Sequence, residues 1–398
     1  MNVVIVCYYY PPTEGPAGER IYFFAKKLSD KNINVVVLSA DAGGERYYPD
    51  LDNVKNIKVG DATDLRKKTN FILAKKILSV LKFRFHILKS FEFLFNLTPH
   101  GKWKNEVLSK IESGQIALPQ KIDFVISSFP DRSSIDVGKV ISAQSGAKWI
   151  IDYRDLWSLN HYSGHSSITK AFLGWKEKAI VADAQALIFA TNSFMNEFKT
   201  YFNLSMKMIS IYNGYNPLDQ ERIGVRDPKL PFSIVYTGSL YGGKRDISHF
   251  FDLLEQVPGS VFTICLLSYS EDGEYIKSVF PRHLTDRVLV RYEVPHNETI
   301  KLQKSADILA LIVMNNGLDF SYSTAKIFEY MNAGVKIVSN ASKGSEIDNI
   351  LFETKSGCLI GDFVVSDDIT DRGNRNILPY SRDVQNEKLY ELLLSLKI

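Results

Sequence analysis

Short apolar, β-rich runs alternate with segments of helical period along the chain, and they do so in two successive series. The first series predicts strands at 3–7, 34–39, 124–128, 149–153, 186–191 and 208–212, with helices such as 20–28 and 166–182 in the gaps. The second predicts strands at 232–238, 261–267, 288–294, 307–313, 335–339 and 358–360. Strands joined through helices pair in parallel, and a parallel sheet is covered by helices on both faces. The pattern therefore predicts two doubly wound α/β domains, each Rossmann-like. Between them, "NPLDQERIGVRDPKLP" has three prolines and six charges without periodicity, which reads as a linker. The expected division is a first domain at 1–215, a linker at 216–231, a second domain at 232–380 and a C-terminal helix within 381–398 that packs on either lobe. Two such lobes are expected to face one cleft, with ligands at the carboxyl ends of the strands.

A chain of 398 residues, 45% apolar and 23% charged, fills two ordinary cores and is neither disordered nor a disulfide scaffold. Its three cysteines, Cys7, Cys265 and Cys358, stand apart in apolar contexts, as expected of reduced, buried thiols in a cytoplasmic protein. The apolar run at 3–10 has no basic residues ahead of it and meets Pro11 and Pro12 at once; it reads as a core strand, not a secretion signal. No run approaches the roughly 18 apolar residues of a membrane span.

Net charge is +3, but residues 63–110 hold eleven Lys/Arg against three Asp/Glu. Within that stretch Ala74, Leu78, Leu81, Phe85 and Leu88 recur at helical spacing, flanked by Lys68, Lys75, Lys82 and Lys89. The segment 68–95 fits a helix on an anionic membrane surface, at the inner face of the plasma membrane, and equally a domain helix with a solvated basic edge. Nothing resembling a nucleic-acid recognition module accompanies the charge.

Three loops carry candidate chemistry. After the first strand, Gly15 and Gly18 precede a helix containing Arg20; glycines there let backbone approach a ligand, although Arg20 also fits an ordinary surface position. In the second domain, "YTGSLYGGKRD" places Lys244 and Arg245 just before a helix expected at 246–257. In "FSYSTAKIFEYMNAGVKIV" a short helix, capped by Ser323 or Thr324, starts with Lys326 in its first turn and ends at Gly334. A cation there meets the positive end of the helix. Lys326 and Glu329, three residues apart, either pair with each other or divide the labour, lysine and the amides near Ala325 taking phosphate and the carboxylate taking sugar hydroxyls.

These segments, with "YNGYNP" at 212–217, resemble the retaining glycosyltransferases of family 4, which have the GT-B fold, over nearly the whole chain and in the same order. "DYRDLW" at 152–157 resembles a segment of bacterial members that assemble surface polysaccharides. The resemblance implies a nucleotide-diphosphate sugar on the second domain, with Lys244 and Lys326 near the diphosphate and Glu329 at the ribose; Arg245 is either a second phosphate ligand or a helper to Lys244, and Gly238, Ser239, Ser323, Thr324 and Ala325 complete the expected donor-binding set. It implies a glycan or polyprenyl-linked acceptor on the first domain. Two departures stand out: the first glutamate of the family's pair is Ser321 here, and the arginine that often follows the glycine of Gly238 is Ser239.

For the acceptor side the expected residues are Gly15, Gly18, Arg20, the loop 128–133, Arg154 and Asp155. Asp155 either orients or deprotonates an acceptor hydroxyl or forms a structural pair with Arg154. Departure of a nucleoside diphosphate develops negative charge that fixed cations and helix N-termini stabilise, so no metal or cofactor is expected. The Asp-x-Asp at Asp50 and Asp52 lies in a polar loop and reads as chance, and His161 and His165 are four apart, but Ser163 and Gly164 between them argue against a helix and no third ligand is evident. The competing expectations are a GT-B-like sugar-nucleotide epimerase or phosphorylase, and a noncatalytic two-lobed binding or scaffold protein.

Overall fold

The computed structural model describes residues 1–13, 15–44, 47–61, 100–161, 163, 165–217, 230–314, 325–364 and 375–397. The chain divides into two compact units, one of Met1–Ile211 with Asn386–Ile398 and one of Tyr212–Gln385. The basic segment 68–95, positions 321, 323 and 324, and most of the expected linker lie outside the described residues.

Unit 1 holds a seven-stranded sheet in the order β3-β2-β1-β4-β5-β6-β7, every neighbouring pair parallel. Its strands are β1 (Asn2–Val6), β2 (Asn34–Asp41), β3 (Val54–Asp61), β4 (Phe124–Phe129), β5 (Lys148–Tyr153), β6 (Ala186–Phe189) and β7 (Lys207–Ser210). Helices α1 (Pro16–Asp30), α2 (Gly101–Glu112), α3 (Arg132–Ser145), α4 (Ser167–Val181) and α5 (Asn192–Phe202) lie between them in sequence. Strands β1, β4 and β5 are almost wholly buried, as expected of parallel strands covered on both faces. The predicted sheet had six strands; β3 is the addition. Its sequence, VKNIKVGD, interleaves lysines with apolar residues, which suits an edge that must not pair further and hides it from a search for apolar runs.

Unit 2 holds six parallel strands in the order β10-β9-β8-β11-β12-β13. They are β8 (Ser233–Thr237), β9 (Val261–Leu266), β10 (Val288–Tyr292), β11 (Ile308–Leu311), β12 (Lys336–Ser339) and β13 (Gly357–Leu359). The two-residue period of a strand sorts the core: Val235, Leu309 and Leu311 join Ile327, Phe328 and Met331 on one face, and Ile234, Tyr236, Ile308 and Ala310 join Phe250, Leu254 and Phe262 on the other. The covering helices are α6 (Ser248–Gln256), α7 (Ser270–Val279), α8 (His296–Ser305), α9 (Lys326–Ala333) and α10 (Glu346–Thr354). A last helix, α11 (Arg382–Lys397), enters the core of unit 1 through Leu389, Leu392 and Leu393.

In both sheets the first strand of the unit lies between two neighbours whose connections run in opposite directions, β1 between β2 and β4 and β8 between β9 and β11. Ligands of open α/β sheets bind beyond the carboxyl ends of the strands at such a switch point.

Candidate functional site

In unit 2, Gly238 follows β8 with φ of 128°, a value L side chains avoid, and its amide donates to the Cys265 carbonyl at 2.8 Å. Lys326, first residue of α9, fills the space a side chain at 238 would need: a Cβ there would lie 2.6 Å from its Nζ and 2.7 Å from its Cε. Helical side chains lean toward their N-terminus, so Lys326 reaches toward the end of β8 and away from Glu329. Among the described residues its ammonium has no carboxylate within 4 Å and no hydrogen-bond partner; its nearest aromatic contact is the Tyr330 ring, 6.0 Å away. The side chain retains a path to solvent, yet burial pushes its pKa down, Glu329 raises it and the nearby Arg245 lowers it further. The pairing of Lys326 with Glu329 is therefore absent.

Glu329 has another partner. Gln303, 1% exposed, donates from Nε2 to a Glu329 oxygen and to Thr237 Oγ1 at 3.0 Å. The Thr237 amide in turn donates to the Tyr330 hydroxyl at 3.0 Å. This chain fixes the carboxylate at the end of β8. Neither Gln303 nor Tyr330 was among the expected site residues, because the contact joins residues 26 positions apart and only the folded sheet brings them together.

The loop after β8 departs from expectation in one respect. Asp272, in the first turn of α7 and 4% exposed, accepts from Ser239 Oγ at 2.7 Å, the Leu240 amide at 2.9 Å and the Gly242 amide at 2.8 Å. Those two amides are thus engaged by the protein's own carboxylate and not held open for an anion. Arg245 donates from Nη1 to the Ser239 carbonyl at 3.1 Å and lies over the Tyr241 ring at 4.9 Å, while its buried Nε has no partner among the described residues. Lys244 is exposed. The helix expected at 246–257 begins at Ser248, whose amide is held by Asp246 Oδ1 at 2.9 Å. Helix α9 starts after Ala325, which has helical backbone angles and no side-chain cap; the expected caps, Ser323 and Thr324, lie outside the described residues.

The "YNGYNP" segment is structural within unit 2. The Tyr212 hydroxyl donates to Glu346, and the Tyr215 amide donates to the Tyr380 carbonyl at 3.1 Å. Gly214 has φ of 66°, and a Cβ there would stand 2.8 Å from the Tyr380 carbonyl oxygen.

In unit 1, Gly15 (φ 112°) caps α1 and leaves open space where a Cβ would be, and Gly18 lets the helix approach Thr13 and Tyr10. Arg20 does not occupy a surface position. It is 4% exposed, donates to both oxygens of the fully buried Asp152 at 2.7 and 3.1 Å and to the Ile211 carbonyl at 2.7 Å, and lies over Phe24. It is the structural half of a buried ion pair.

Arg154 donates from Nε to the Phe129 carbonyl at 2.9 Å. Burial lowers its pKa; the Asp152 and Asp155 charges raise it. Asp155 has no cation within 4 Å and no hydrogen-bond partner among the described residues, so the structural Arg154–Asp155 pair is also absent. Burial holds its carboxyl above the usual carboxylate range, and Arg154 pulls it partway back. Nearby in the sheet's order, Asp131 caps α3, accepting from the Ser133 amide at 3.3 Å and Ser134 Oγ at 3.1 Å. Its pKa is raised by burial and lowered by the His100 charge. The His100 ring lies 3.6 Å from that of Tyr8, and its buried Nδ1 has no partner among the described residues. Asp131 falls in the expected loop 128–133; His100 gave no signal, because nothing in the sequence ties it to the end of β4. Among the described residues no three His, Cys, Asp or Glu side chains converge to hold a metal ion, and no helix is long and apolar enough to cross a membrane.

No family model and no curated protein matches the sequence. Solved structures do match. Sucrose-phosphate synthase from Thermosynechococcus elongatus superposes with a TM-score of 0.65 at 14% identity, covering 99% of this chain and 98% of that one. A glycosyltransferase from Rickettsia africae gives 0.62 at 10% identity, covering 99% and 98%. The fold is GT-B. GT-B architecture also describes a putative UDP-N-acetylglucosamine 2-epimerase from Listeria monocytogenes, matched at a TM-score of 0.52 and 11% identity over 100% of this chain and 96% of that one.

Gly238→Ala tests the contact between β8 and Lys326. The variant should lose about 1–3 kcal/mol of stability, because a φ of 128° strains an L residue and the Lys326 side chain leaves a methyl no room. Thermal denaturation reads the loss; a parental melting temperature would remove the contact.

Proposed function

We propose that the chain is a glycosyltransferase that moves a sugar from a nucleotide-diphosphate donor to a glycan or lipid-linked acceptor, with retention of anomeric configuration as in family 4, in bacterial surface-polysaccharide assembly. The observation that carries this reading is Lys326: a cation in the positive field of a helix N-terminus, with Arg245 adding like charge and no carboxylate within 4 Å among the described residues. Such a group is stabilised by a ligand bearing several negative charges.

In this reading the diphosphate lies on Lys326, with Arg245 and the exposed Lys244 beside it, and Glu329 accepts from ribose hydroxyls while Gln303 holds it in place. The bond from the anomeric carbon to the diphosphate oxygen breaks as a bond to the acceptor oxygen forms. Negative charge then collects on the leaving diphosphate, where Lys326 and the α9 N-terminus stabilise it more than in the ground state. On unit 1, the Asp155 carboxylate orients the acceptor hydroxyl and takes its proton as the new bond forms, and burial, which raises its pKa, makes it a stronger base. Gly15, with open space where a Cβ would stand, and Gly18, packed on Thr13 and Tyr10, keep the backbone after β1 unobstructed.

Incubation with a panel of nucleotide sugars in excess EDTA tests the reading. Slow release of free nucleoside diphosphate from one of them is expected, and loss of that release on chelation, restored by magnesium or manganese, would overturn the metal-independent mechanism. Interconversion of sugar nucleotides without release would favour the second reading, an epimerase, which the likeness to the Listeria protein supports. Neither reaction with any donor would leave a noncatalytic binding protein.

A further inference from the structure

Helix α4 buries Leu173, Gly174, Glu177 and Val181 against unit 1 and leaves an apolar ridge outside. Ile168 is 84% exposed and Trp175 is 68% exposed. Ala171 and Ala179 are exposed as well, and the Phe172 ring lies 6.1 Å from that of Trp175. Positions 168, 171, 172, 175 and 179 share one side of the helix by their three- and four-residue spacing. Tyr201, half exposed, lies across Gly174 and extends the patch. A contiguous apolar surface containing tryptophan marks an interaction site more often than a scattered leucine does.

The charge on this helix selects its partner. Lys176 and Lys178 flank the ridge, one on each side, with the Lys176 ammonium 5.0 Å from the Phe172 ring. The helix's one carboxylate, Glu177, is fully buried and accepts from the Ser158 amide at 2.9 Å. The face shown to solvent therefore carries cations alone. A second copy would bring lysine against lysine, and lysine is depleted from protein interfaces. Fifteen residues of helix are only about 22 Å long, short for a stable protein interface but ample for an interfacial helix.

We propose that α4 lies in the headgroup region of an anionic lipid bilayer, with Ile168, Phe172 and Trp175 at the acyl boundary and Lys176 and Lys178 against the phosphates. This anchor is separate from the basic segment 68–95 and does not depend on the sugar-transfer reading.

The protein carries its own reporter. Of its four tryptophans, Trp103, Trp149 and Trp157 are 5%, 1% and 8% exposed, so Trp175 is the one open to solvent. Adding vesicles of equimolar phosphatidylglycerol and phosphatidylcholine should shift its emission to the blue and cut acrylamide quenching severalfold; phosphatidylcholine vesicles should do neither. Trp175→Ala should lower partition into the anionic vesicles about tenfold or more. Lys176→Glu with Lys178→Glu should lower it at least about 25-fold, from roughly fivefold per surface lysine. Emission from the three buried tryptophans checks that each variant is folded. An unchanged Trp175 signal in saturating anionic vesicles, or variants that partition like the parent, would overturn the proposal. So would shielding of Trp175 that rises with protein concentration in the absence of lipid, which would mean that a second copy covers the ridge.

Discussion

Lys326→Ala should weaken nucleoside diphosphate binding by about 1.5–3 kcal/mol, the scale of a hydrogen bond to a charged group, while hardly changing affinity for the bare nucleoside. The empty variant should be as stable as the parent or slightly more so. Burial depresses the folded-state pKa of Lys326, so any stability linked to this group is present above its ordinary pKa and lost as pH falls through the depressed value. At neutral pH the parent therefore bears the cost of an enclosed cation, and the methyl group of alanine does not. A structural lysine would give the opposite pair of results: lower stability and unchanged diphosphate affinity. Titration calorimetry and thermal denaturation of the two proteins tell these apart.

Asp155→Asn should lower turnover by about 10²–10⁴, the range for loss of a positioned acid–base group, and leave donor affinity unchanged. Its stability effect has a definite sign. Burial raises the Asp155 pKa in the folded chain, so the stability linked to its proton is present below the ordinary carboxylate pKa and is lost as pH rises through the raised one. Asparagine removes that loss, and the variant should melt at or above the parental temperature at pH 7 while the difference shrinks at low pH. Parental turnover would dismiss Asp155 from the chemistry. A lower melting temperature at pH 7 would show instead that its charge is structural.

The strands of both cores were legible because a parallel strand covered on two faces must be largely apolar, as 3–7 is throughout and 124–126 is at the start of β4. β3 was not, since an edge strand that carries Lys55 and Lys58 reads like a loop. The stop of α9 at Gly334, which has φ of 69°, was visible as glycine after an apolar period. The charge anomaly at Lys326 was equally visible, because a helix N-terminus penalises a cation whatever surrounds it.

What the sequence concealed was long-range pairing. Arg20 meets a carboxylate 132 residues away, and no local pattern distinguishes an arginine bound for a buried ion pair from one at a surface. Glu329 resembled a partner for Lys326 by spacing alone; the lean of helical side chains sends Lys326 the other way and leaves Glu329 to Gln303. Asp272 shows a similar limit in the loop after β8, where the glycines suggested open amides but a carboxylate from α7 already holds two of them.

The central claim is that unit 2 binds the diphosphate of a nucleotide sugar, and the most direct measurement is calorimetric titration of the parent protein with each common nucleoside diphosphate and its nucleoside. One diphosphate should bind at one site per chain, and its nucleoside should bind at least about 100-fold more weakly, reflecting the lost charge-assisted contacts to Lys326 and Arg245. A nucleoside that binds as tightly as its diphosphate, or no binding by any diphosphate, would contradict it.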